Sequence, residues 1–149
     1  MKQYTDEQIE ATRKAFSGNL PEERARVAGL DLSYFIMPQA NCAQLPGFVY
    51  QCSNATNGVF GIADSVQPEY RPFAVYHEVV ESKGNSCRKA LELELAAVPS
   101  NILKEYAQMR ATFFKALVGY AIEKGYEQEA IDAFKDNASK LEQLAGGKQ

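Results

Sequence analysis

Residues 48–63 read FVYQCSNATNGVFGIA, and this stretch decides the fold class. Two short runs, Phe48–Ser53 and Gly58–Ala63, are rich in aromatic and β-branched side chains, and NATN stands between them. Such runs favour extended backbone, while asparagine and glycine together favour a tight turn. The stretch therefore predicts one β-hairpin in a chain that otherwise reads as helix.

Downstream, Pro68 and Pro72 open a helix that runs to about Lys83, where Gly84 ends it. Proline suits a first helical turn and glycine a C-terminus. A second helix is expected from Ser86 to Val98, stopped by Pro99. A third starts at Ser100 and runs to Lys124, and a fourth spans Tyr126 to Leu144. Upstream, Thr5 with Gln8 forms a capping-box pattern for a helix ending at Gly18. Pro21 opens a short helix through Glu22, Arg24 and Val27, stopped near Gly29. The run Leu30–Met37 (LDLSYFIM) is so densely apolar that periodicity assigns it to neither helix nor strand. The expectation is a mainly helical α+β single domain over 1–145, with one β-hairpin before a four-helix C-terminal part. Residues 146–149 should form a flexible tail.

A chain of 149 residues matches one domain, and its 46% apolar and 23% charged content is that of a globular protein. Sixteen basic against nineteen acidic side chains leave a net charge of −3. No basic excess is present to neutralise phosphates, so neither nucleic acid nor an anionic membrane is the expected partner. No apolar run approaches the ~20 residues that span a bilayer. The polar, acidic start of the chain does not read as a secretory or transit peptide. Cys42, Cys52 and Cys87 are odd in number and form no CxxC pair. That usage suits a reducing compartment, so the expected location is cytoplasmic.

Successive helical residues turn by ~100°, which places each side chain on a wheel. In the helix after Pro72, Phe73, Val75, Tyr76, Val79 and Val80 fill one apolar arc. His77 lies on its shoulder, Glu81 follows on the same face, and Glu78 points aside. In the next helix Cys87, Leu91, Leu95 and Val98 mark the inner stripe, and Glu94 falls within it. In the long helix Ile102, Tyr106, Phe113, Leu117 and Tyr120 face inward, with Arg110 among them. A buried charge needs a partner, a metal or water. His77, Glu81, Glu94 and Arg110 are thus expected to converge. The simplest reading is a structural network, with Arg110 pairing Glu94 or Glu81 and His77 donating to a carboxylate.

A second reading is a metal site. His77-Glu78-Val79-Val80-Glu81 has the form HExxE and resembles the HExxH helix of zinc metallopeptidases of the gluzincin type, with Glu81 in place of the second histidine. The resemblance implies zinc on His77 and Glu81, with Glu78 as general base on the metal-bound water. It further implies Glu94, from the following helix, as third ligand. Arg110, or a tyrosine such as Tyr106, would stabilise an oxyanion. In those enzymes an edge strand that holds the substrate precedes the active helix, and Gly58–Ala63 stands in that place. The reaction implied is peptide hydrolysis. The reading from a different class is a non-catalytic helical module that binds a peptide or protein partner, or a second copy of itself. A homodimer fits the wide apolar arc of the long helix. A Cys87/His77/Glu81 nucleophilic set is the weakest of the readings.

Overall fold

Ala28 and Gly29 both adopt left-handed backbone, with φ of 50° and 83°. Two consecutive positive φ values make the mirror-image turn whose twist matches the strands it joins. The loop connects β1 (Glu22–Val27) to β2 (Leu30–Met37), paired antiparallel from Val27↔Leu30 to Glu22↔Phe35. The helix expected from Pro21 through Val27 is corrected to a strand. Its exposure alternates, with Glu22, Arg24 and Arg26 outward and Val27 buried, which is the period of a strand and not of a helix. Gly29 is a hairpin residue rather than a helix stop. The undecided run LDLSYFIM is the second strand.

The structure is a computed structural model that describes residues 5–7, 10, 20–38, 44–45, 49–50, 53–56 and 59–146. The helix expected between Thr5 and Gly18 falls almost wholly outside the described residues, as do Cys42, Cys52 and the tail beyond Gly146.

Four more strands follow: β3 (Gln44–Leu45), β4 (Val49–Tyr50), β5 (Ser53–Thr56) and β6 (Val59–Ala63). The hairpin read from residues 48–63 exists, but its first arm is β5 rather than Phe48–Ser53. Thr56 pairs with Val59, so only residues 57 and 58 separate the arms. Asn57-Gly58 is by itself a two-residue hairpin signal, and the rest of NATN is left free to extend as strand. Val49–Tyr50 pairs instead with Gln44–Leu45.

Four helices complete the described chain: α1 (Arg71–Ser82), α2 (Cys87–Ala97), α3 (Leu103–Lys124) and α4 (Gln128–Leu144). All four expected helices are present, giving an α+β fold with a helical C-terminal part, but α3 begins at Leu103 with Ile102 at its N-cap, so the expected start at Ser100 is corrected. Pro72 sits in the first turn of α1. Gly125 closes α3 at φ 73°, where the Tyr126 N–H donates to Ala121 O at 2.9 Å. That reach-back bond satisfies a carbonyl the helix end would otherwise leave open.

The chain gathers into two compact units. The first comprises residues 1–42 and 52–86, the second residues 43–51 and 87–149. In the first, the sheet runs in the order β1-β2-β6-β5, with β2 and β6 parallel and the outer pairs antiparallel. Helix α1 packs across all four strands. Its inner side buries Ala74, Val75, Tyr76 and Val80, and the sheet buries Leu32, Tyr34, Phe35, Val59 and Ile62. The valine, leucine, isoleucine and phenylalanine side chains among these each contribute about 1.5–3 kcal/mol when fully buried. In the second unit α3 and α4 pack along each other, α2 packs on α4, and the β3–β4 pair lies on α3. Leu91, Tyr106, Phe114, Ala121 and Leu141 are among its most deeply buried apolar side chains.

Candidate functional site

The residues singled out in the sequence divide between the two units. His77, Glu78 and Glu81 belong to α1 in the first, and Glu94 and Arg110 to α2 and α3 in the second.

On α1, His77 is 2% exposed. Its Nε2 lies 3.2 Å from Glu81 Oε2, one turn further along the helix. Residues i and i+4 share a helix face, so the HExxE spacing itself brings ring and carboxylate together. Both offer an atom that can ligate a metal. His77 and Glu81 would be the residues of α1 to hold a divalent ion. Glu78 is half-buried on the same helix.

The first unit contains a second polar group that the sequence reading missed. Arg71, the first residue of α1, donates from Nε to Val66 O at 2.8 Å and from Nη2 to Asp64 O at 3.0 Å. Its Nη1 reaches Glu23 Oε2 at 3.2 Å. Arg71 thereby fastens the loop after β6 to the helix start and to β1. Glu23 stands opposite Tyr34 in the hairpin register. Burial, together with the Glu23 carboxylate, pushes the Tyr34 hydroxyl up to about 12. Reading β1 as a helix hid this group, because only strand pairing puts Glu23 beside Tyr34.

In the second unit the buried charges answer each other. Arg110 donates from Nε to Glu94 Oε2 at 2.8 Å and from Nη2 to Glu94 Oε1 at 3.0 Å. The Tyr106 hydroxyl donates to the same Oε2. Glu94 is 0% and Arg110 1% exposed. The guanidinium carbon also lies 5.4 Å and 5.0 Å from the Phe113 and Phe114 ring centres, within the range of cation–π attraction. A two-pronged guanidinium–carboxylate contact is the strongest geometry such a pair can adopt. Both Glu94 oxygens are occupied by protein donors, and the guanidinium face is covered by rings. The arrangement is the network form of the expectation, in which Arg110 pairs Glu94. Its distinguishing signal was legible as charged residues within apolar stripes. The Tyr106 hydroxyl was not, since a stripe position does not tell where a phenol tip ends.

Cys87 opens α2, and its Sγ and backbone O each accept from Asn137 Nδ2 of α4 at 3.3 Å. Asn137 is buried and was not foreseen. Arg88 extends the same α2–α4 contact on the surface, donating to Glu129 at 2.7 Å and Asp136 at 2.9 Å.

The strand in the place of a substrate-holding edge strand differs from the expectation. β6 is hydrogen-bonded on both sides, to β2 and to β5. An extended substrate adds to a sheet through an open edge, and β6 has none. Among the described residues no helix is long and apolar enough to cross a membrane. Comparison with protein-family models, with curated proteins and with solved structures finds no match to this chain.

Proposed function

We propose that this protein works by binding another protein surface rather than by catalysis, and that its internal charges are structural. The observation that carries this reading is the engagement of Glu94, whose two oxygens accept from Arg110 and Tyr106 at full burial. A carboxylate held in that way would have to break a buried ion pair to ligate zinc, at about 3–5 kcal/mol for the partner left behind. The interior position of β6 argues in the same direction. The second unit keeps large apolar side chains at its surface near the α3–α4 turn, Ile122 at 56% and Tyr126 at 43% exposure. A protein partner, including a second copy of the chain, would bury area there.

The 3.2 Å contact of His77 with Glu81 favours a second reading, a divalent metal on α1 with Glu78 as base in a zincin-like hydrolase. Elemental analysis of the purified, untagged protein beside His77→Ala separates the two. Under the binding reading neither sample carries stoichiometric zinc, including after zinc is added and excess removed. One equivalent in the parent, lost in His77→Ala, would overturn it, and peptidase assays with Glu78→Gln would then be the next step.

A further inference from the structure

We draw no further inference here: the strongest candidate, the polar groove between α3 and α4 lined by Gln108, Thr112, Lys115, Ser139 and Glu142, is spanned by its own Lys115–Glu142 ion pair, and nothing in the structure shows what would cover it.

Discussion

Glu94 accepts from both Arg110 and Tyr106 at full burial, and its replacements separate attraction from desolvation. Glu94→Gln preserves shape but leaves the Arg110 charge buried without its counter-ion. The expected cost is about 3–5 kcal/mol, the range for breaking one partner of a buried pair. Tyr106→Phe removes one hydroxyl donor and should cost about 1.5–3 kcal/mol, the range for a single hydrogen bond to a charged group. Glu94→Leu combined with Tyr106→Phe and Arg110→Met removes the whole network and leaves no charge stranded. That triple variant is expected to be more stable than Glu94→Gln, because the desolvation penalty disappears with the charges. Urea titrations of the four proteins provide the comparison. A triple variant less stable than Glu94→Gln would overturn this expectation, and one less stable than the parent would mean that the network contributes more in attraction than it loses in desolvation. The positions of Glu94 and Arg110 were readable because a charge inside an apolar stripe has to be explained. Their choice of each other was not, since Glu81 satisfied the same wheel arithmetic and a wheel carries no distance between helices.

The β1–β2 hairpin shows how one loop can redirect the reading of a whole element. EERARV has no proline or glycine to forbid a helix, and its charges suit either state. The deciding feature is Ala28-Gly29, where an L-residue takes a left-handed conformation. Alanine does so at a cost of roughly 1 kcal/mol, which asparagine largely avoids. Ala28→Asn should therefore raise the melting temperature by a few degrees, equivalent to about 1 kcal/mol. An unchanged or lowered melting temperature would count against the turn. The same hairpin sets a pH dependence. Tyr34 holds its proton up to about 12 in the folded protein, against ~10 for an unhindered phenol. The folded state therefore binds more protons than the unfolded state between these values. The contribution of Tyr34 is constant below pH 10 and is lost as pH rises toward 12. Denaturation curves of the parent and Tyr34→Phe should diverge in slope over that window and run parallel below it. By contrast, the ends of α1 to α4 were legible to within about three residues, the start of α3 at Leu103 rather than Ser100 being the largest difference. Pro72, Gly84, Pro99 and Gly125 mark boundaries by restricting or freeing the backbone, which needs no tertiary knowledge.

At the scale of the molecule, the sequence has no linker to announce two compact units, because residues 43–51 join the second while the chain on either side belongs to the first. Composition and local periodicity cannot show such an exchange, since it depends on which distant segments pair. The binding reading has a consequence at this scale. Ile122 and Tyr126 lie four residues apart around the end of α3, and Tyr120 and Tyr126 meet edge to face at 6.1 Å. Stable interfaces bury about 800 Å² per partner, more than these few side chains supply alone. Self-association through this corner should therefore be weak and concentration-dependent. Light scattering across roughly 5 to 500 µM, a range suited to micromolar-to-millimolar contacts, should show the mean mass rising from the 16.5 kDa monomer toward twice that value. Ile122→Lys should hold the protein at monomer mass over the same range without lowering its melting temperature, because the side chain is more than half exposed. A parent that stays monomeric throughout would remove the second copy as the partner and leave the corner to a different protein. An Ile122→Lys variant that still dimerises would place the contact elsewhere on the surface.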